Sequence, residues 1–175
     1  MSATEAKLIV AALYALPGIL ALAAPGPARR ALEGFSDSRV CGMVLSTVAF
    51  LWAAALIYFT PLDFIAKFRV AIAVFLVVSI PLSWRWMPWL LAARSLGALW
   101  CLIPAPILVA VRFAPGCGRL VSVSLMYLMA TAGMVAAFSP YYLRDAFSWL
   151  VRGGAARIRL AGAVLAVLGI AAGVL

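Results

Sequence analysis

Residues 120–175 read LVSVSLMYLMATAGMVAAF (120–138), SPYYLRDAFSWLVRGGAARIR (139–159) and LAGAVLAVLGIAAGVL (160–175). Two apolar runs flank a basic link that opens on a proline. About 20 largely apolar residues cross the roughly 30 Å of a bilayer's hydrocarbon as a helix, so both runs read as membrane spans, the second of marginal length. In the link, Leu143, Phe147, Leu150 and Val151 fall on one helical face, and Arg144, Asp145, Ser148 and Arg152 on the other. That pattern belongs to a helix lying in the interface plane. Ser139-Pro140 supplies a cap residue and a proline at the first helical position, and Gly153-Gly154 supplies a stop.

The same template recurs upstream. Pro25 and Arg29 precede Arg39-Val-Cys-Gly42, Pro81 and Arg85 precede Arg94-Ser-Leu-Gly97, and Pro140 and Arg144 precede Arg159-Leu-Ala-Gly162. Each unit runs apolar helix, P-x-x-x-R, basic link, R-x-x-G, apolar helix. Proline and glycine are 17, 16 and 22 residues apart, and the period is 56 and then 59 residues. Pro115 and Arg119 also satisfy P-x-x-x-R, so that half alone is not diagnostic. R-x-x-G occurs only three times, each time at the start of an even-numbered span. A fixed period of this kind is the mark of an internal repeat, and convergent hairpin punctuation is the competing explanation. In the repeat, the arginine sits at headgroup depth and the glycine lets a neighbouring helix approach.

The remaining spans follow from hydropathy. They are Leu8–Ala24, Val40–Phe59, an apolar core Val70–Trp84 that starts near Phe64 with Lys67 and Arg69 snorkelling, and Ser95–Val111, interrupted by Pro104 and Pro106. With Leu120–Phe138 and Leu160–Leu175 the total is six. The first run also has the features of a signal peptide, with Lys7 before it and Ala21-Leu22-Ala23 at its end; Glu5 offsets Lys7, and the repeat supplies two counterparts, which favours a retained helix. The expected fold is all-α, a polytopic bundle of six transmembrane helices built as three helix–amphipathic link–helix hairpins. It forms one domain, residues 1–175, with repeats at about 4–60, 61–115 and 116–175.

Composition agrees. The 175-residue chain is 67% hydrophobic and 11% charged, with mean hydropathy +1.15; soluble domains run near 25% charged. The net charge of +9 is spread thinly between apolar runs, which points to anionic lipid headgroups and away from nucleic acid.

The segment from Phe138-Ser-Pro-Tyr-Tyr-Leu-Arg-Asp-Ala-Phe-Ser-Trp-Leu to Gly173 resembles the small two-helix bacterial inner-membrane proteins of the YjeT kind. Ala24-Pro-Gly-Pro-Ala-Arg-Arg-Ala-Leu and Arg39-Val-Cys-Gly42 look similar in the first hairpin. The middle hairpin departs, with Trp86-Met-Pro88-Trp in its link. The resemblance implies a bacterial cytoplasmic-membrane location and a hairpin unit, and no reaction. Mitochondrial carriers share the plan of three proline-ended hairpins, but their P-x-[DE]-x-x-[KR] signature is absent.

If the odd-to-even links share a side, they carry Arg29, Arg30, Arg39, Arg85, Arg94, Arg144, Arg152, Arg157 and Arg159, against Lys7, Lys67, Arg69, Arg112 and Arg119 opposite. The positive-inside rule then places the links in the cytoplasm and both termini outside. Trp84, Trp86, Trp89 and Trp149 mark the inner interface, and Tyr58, Phe59 and Phe64 the outer one.

Chemistry is bounded by what is missing. The chain has no His, Asn or Gln, so the usual proton shuttle and the usual zinc and haem ligand are lacking. Glu5, Glu33, Asp37, Asp63 and Asp145 fall in loops or helix ends, so no carboxylate sits mid-span, where coupled transporters often keep one. Cys41, Cys101 and Cys117 form no CxxC and read as small apolar residues. No catalytic motif is present, and no catalytic, metal or cofactor residue is expected. The candidate contacts to lipid or a partner are Arg29, Arg39, Arg85, Arg94, Arg144 and Arg159. The candidate packing residues are Gly42, Gly97, Gly162, Gly169 and Gly173, the last two a GxxxG that could face another helix of the chain or a second copy. The Pro104–Pro106 break is either a kink held by its neighbours or a transport site. The expected function is a non-catalytic scaffold, accessory or assembly subunit with a membrane-protein partner; a small permease or channel of three pseudo-symmetric hairpins is the alternative. The topology is checked on intact cells with a membrane-impermeant thiol reagent: Cys117 should label and Cys41 should not, and the reverse pattern rejects it.

Overall fold

Hydrocarbon offers no water to backbone N–H and C=O groups, so an apolar chain must satisfy them within helices. The computed structural model describes residues 2–35, 38–59, 68–86, 91–112 and 117–174, as helices joined by short turns, with no strand among them. The helices are α1 (Ala3–Ala23), α2 (Pro25–Phe35), α3 (Arg39–Phe59), α4 (Arg69–Trp86), α5 (Leu91–Leu102), α6 (Pro104–Val111), α7 (Cys117–Phe138), α8 (Pro140–Arg152) and α9 (Gly154–Val174). Six segments are long and apolar enough to cross a membrane: α1, α3, α4, α5 with α6, α7 and α9.

Several helices begin earlier than hydropathy predicts: α5 at Leu91 rather than Ser95, α7 at Cys117 rather than Leu120, and α1 and α9 by the widest margins. α1 starts at Ala3 because Ser2 and Glu5 form a capping box: Ser2 Oγ accepts from Glu5 N at 3.2 Å, and Ser2 N donates to the Glu5 carboxylate at 2.7 Å. These bonds satisfy two amides that hydropathy ignores. α9 starts at Gly154 rather than Leu160. Gly154 has φ +68°, a left-handed turn that glycine adopts without strain, and the helix then runs 21 residues, a full span. The expected start of the third span at Phe64, with Lys67, lies outside the described residues, as do Asp37, Asp63 and Trp89.

The three link prolines do different work. Ala24 (φ −134°, ψ 69°) and Ser139 (φ −129°, ψ 73°) both leave the helix before a proline, as the proline ring demands of its predecessor; Pro25 and Pro140 then open the link helices α2 and α8. Ser139 does not cap with its side chain; its carbonyl accepts from Tyr142 N at 3.1 Å instead. Pro81 stands inside α4, which continues to Trp86.

Close pairing does not follow the hairpin arms. Among the described residues, α1 packs most extensively along α9, α5 along α7, and α3 against both α4 and α5; α7 and α9 touch less, and neither α1 with α3 nor α4 with α5 forms an extensive contact. Small residues explain the choice. A Cβ on Gly18 would stand 2.5 Å from Ala166 N and 2.7 Å from Gly162 O; one on Gly162 would stand 2.8 Å from Gly18 O. Gly169 approaches Ala15 N and Ala11 O as closely, and Gly173 lies against Ala11. At the second seam a Cβ on Gly97 would meet Ala137 N at 2.6 Å and Gly133 O at 2.7 Å. Gly42 faces Leu91 and Ala92 at the start of α5.

The tightest core lies away from the links, where Ala6 and Val10 of α1, Ile107 and Val111 of α6, Leu125, Met126 and Met129 of α7 and Ala172 of α9 meet. Tyr14 Oη donates to Leu125 O at 2.7 Å, which ties α1 to α7. Overpacking a tight contact costs typically about 1–3 kcal/mol. Gly18→Ala and Gly97→Ala should each destabilise by about that amount in reversible unfolding from detergent. Gly34→Ala, with nothing within 4 Å of the added Cβ, should be neutral or stabilising by about 0.5–1 kcal/mol.

Candidate functional site at the membrane interface

The polar surface of the links is organised by α2 and α8. In α2 the residues Ala28, Leu32 and Phe35 turn inward while Arg29, Arg30 and Glu33 stay exposed. In α8 Leu143, Phe147, Leu150 and Val151 are half-buried and Arg144, Asp145 and Arg152 are exposed, as expected, but Ser148, expected on the outward face, is half-buried too. Each helix therefore lays an apolar face on the bundle and turns charge outward. The two meet at Phe35 and Phe147, whose rings sit 5.9 Å apart and edge to face at 73°. Beneath them lies an apolar cavity of about 330 Å³, walled by α1, α2, α8 and α9 and by Leu96 of α5.

Arginines surround this layer. Arg29 pairs with Glu33 at 2.8 Å on the surface of α2, an exposed pair of the kind that contributes only about 0.3–0.5 kcal/mol. Arg157 lies 4.5 Å over the Trp149 ring and donates to Trp149 O at 3.2 Å, which joins the start of α9 to the end of α8. Arg39, Arg85, Arg144 and Arg159 are exposed. Arg94 differs: it is partly buried, in the first turn of α5, and lines a second cavity between α3, α4 and α5. Of the six arginines singled out in the sequence, five face outward and one faces into the protein.

Six hydroxyls within the spans turn back on their own helices, whereas Ser122 of α7 is fully buried and its Oγ has no hydrogen-bond partner among the described residues. Ser46 and Thr47 donate to Met43 O, Ser79 to Phe75 O, Ser83 to Ile80 O, Ser95 to Leu91 O and Thr131 to Tyr127 O. One also bridges two helices, because Ser46 Oγ accepts from Trp84 Nε1 at 3.1 Å. No pattern in the sequence pointed to that bond between α3 and α4. Nor did the sequence single out Gly18 and Gly133, although each stands as far before its link proline as the other does.

Pro104 and Pro106 remove two amide donors without unwinding the chain. Ile103 keeps helical angles (φ −58°, ψ −42°), and its amide donates to Leu99 O at 2.9 Å. Pro104 is buried. Cys41 is exposed, and Cys101 lies between helices with Sγ 3.6 Å from Ala130 O. Among the described residues no group of three His, Cys, Asp or Glu side chains could hold a metal ion.

The Phe35–Phe147 contact should couple the two link helices. Phe35→Ala and Phe147→Ala, combined in a double-mutant cycle on detergent stability, should show a coupling of about 0.5–1.5 kcal/mol; strict additivity would mean that each helix docks alone.

No family model, curated protein or solved structure matches the chain, so the likeness to the two-helix inner-membrane proteins rests on the quoted motifs alone.

Proposed function

We propose that the chain is a non-catalytic scaffold or accessory subunit of a larger complex in the bacterial cytoplasmic membrane, with its links in the cytoplasm, both termini outside, and contact to anionic headgroups through the outward arginines. The observation that carries this reading is that six of the span hydroxyls, Ser46, Thr47, Ser79, Ser83, Ser95 and Thr131, bond to their own helices. A path for a hydrophilic solute needs convergent polar groups at mid-membrane, and those bonds leave the seams to glycine and alanine. Helical backbone at Ile103 also lacks the unwound carbonyls of a transporter's broken helix, which speaks against a permease.

A triplicated hairpin is part of the proposal. Gly18 and Gly133 stand at equal distances before Pro25 and Pro140, and each packs on a glycine of R-x-x-G, Gly162 and Gly97 respectively. The same two motif positions thus meet at two seams. The partner surface we assign is α4, which among the described residues packs extensively on α3 alone and leaves Val70, Val74, Phe75 and Val78 exposed. A helix held on one side is a ready surface for a second membrane protein, since small and apolar faces in lipid associate by shape.

Affinity purification of the full chain from its native membrane in mild detergent should recover a partner at fixed stoichiometry. Val74→Trp with Val78→Trp should release it without lowering the amount of the chain. Solute flux or substrate turnover by the purified protein alone would overturn the proposal.

A further inference from the structure

The junction of α2 and α8 is polar above and apolar below. Above, a crevice of about 240 Å³ lies between the two helices, with Arg144, Ser148 and Arg152 of α8 and Glu33 of α2 on its walls. Below is the apolar cavity of about 330 Å³. Leu32 and Phe147 line both spaces, so the two meet at these side chains. The lower space is wide and shallow. Along α2 its lining runs from Ala28 to Phe35, about 10 Å at 1.5 Å per residue; on α1 it runs from Pro17 to Ala21 and on α9 from Ile158 to Gly162, about 6 Å each.

We propose that this junction binds an anionic glycerophospholipid, with its phosphate between Arg144 and Arg152 and the upper part of one acyl chain in the cavity. Arg144, Ser148 and Arg152 stand four residues apart, so their side chains share one face of α8. Both arginines line the same crevice, where two like charges repel and an anion between them offsets both. Guanidinium also offers phosphate a planar fork of donors. Ser148, half-buried between the arginines, spends its proton on Asp145 O at 2.8 Å, which leaves donation in the crevice to the guanidinium groups. The carboxylate on the opposite wall, Glu33, is already held by Arg29 at 2.8 Å.

The first link supplies the contrast. Arg29 follows Pro25 by four residues, as Arg144 follows Pro140, and the next turn brings Glu33 in α2 but Ser148 and then Arg152 in α8. Thus α2 balances its arginine within the helix, whereas α8 adds a second cation on the same face. The cavity beneath is apolar, so water finds few partners there, and empty space of this size forfeits dispersion contacts around its lining. A lipid at the interface meets both demands in order, phosphate first and methylenes next. One leaflet's share of the hydrocarbon is about 15 Å, so a space about 10 Å long takes part of one chain. Its volume lies at the small end of ligand pockets, which run roughly 300–1,000 Å³. The proposal rests on the reading of the links as facing anionic headgroups and is independent of the partner surface assigned to α4.

Native mass spectrometry of the delipidated full chain in mild detergent tests it, with added phosphatidylglycerol, phosphatidylcholine or inorganic phosphate. One phosphatidylglycerol should bind per chain, about ten- to thirtyfold more tightly than phosphatidylcholine, as two arginines near one headgroup predict. Arg144→Gln and Arg152→Gln should each reduce that preference about fivefold, and the double variant should abolish it. Arg30 is exposed on α2 and lines neither space, so Arg30→Gln should preserve it. Ala28→Leu leaves both arginines intact and fills part of the cavity; it should weaken both lipids alike and keep their ratio. Millimolar inorganic phosphate should not displace the lipid. Equal binding of the two lipids to the unaltered chain would overturn this site together with the headgroup reading. A loss of preference in Arg30→Gln equal to that in Arg144→Gln would overturn the site alone, as would displacement by phosphate or unchanged lipid affinity in Ala28→Leu.

Discussion

Contact of backbone on backbone, glycine to glycine, is the constraint on which the rest of this structure depends. Within hydrocarbon, lipid tails compete on equal terms with leucine for an apolar surface, so helices associate by dispersion and shape rather than by escape from water. Close approach is the way to gain dispersion, and it requires that no Cβ stand between the backbones. The seam of α1 with α9 achieves this at Gly18, Gly162 and Gly169, and the seam of α5 with α7 at Gly97 and Gly133. Once these pairs are set, the remaining elements have little choice. α3 lies along α5 through Gly42, α4 is left at the edge, and the tight core forms at the end of the bundle remote from the links.

The link helices obey a different physics. Where water and headgroups begin, an amphipathic helix can bury one face and solvate the other. Phe35 and Phe147 use that freedom to bring α2 and α8 together over the apolar cavity. Much of the basic charge of the chain is displayed on their outer faces and at the neighbouring helix ends. In the middle unit Pro81 lies within α4 rather than ahead of a separate helix.

The R-x-x-G motif shows how one local pattern yields unlike outcomes. At its glycine the result is nearly uniform: Gly42, Gly97 and Gly162 each face another helix at short range. At its arginine it is not. Arg39 and Arg159 reach outward, whereas Arg94 lines a cavity. The difference lies in the neighbours, because Arg94 stands where α3, α4 and α5 leave a cavity between them.

Much of the fold was legible in the residues themselves. Run length and the scarcity of charge specify six spans, since a backbone in hydrocarbon has no alternative to the helix, and apolar periodicity specifies α2 and α8. Proline after a residue that leaves the helix marks where those helices begin. Short-range bonds were legible in principle at Ser2 and Glu5, where a capping pattern moves the start of α1 to Ala3. Which helix lies beside which was not legible, because a glycine announces that something can come close and does not say what. That Gly162 meets Gly18 rather than a residue of α7, and that Arg94 faces a cavity while Arg39 faces outward, depends on distances between segments far apart in sequence. Those distances are fixed by summed packing over whole helix faces, and no single motif contains them.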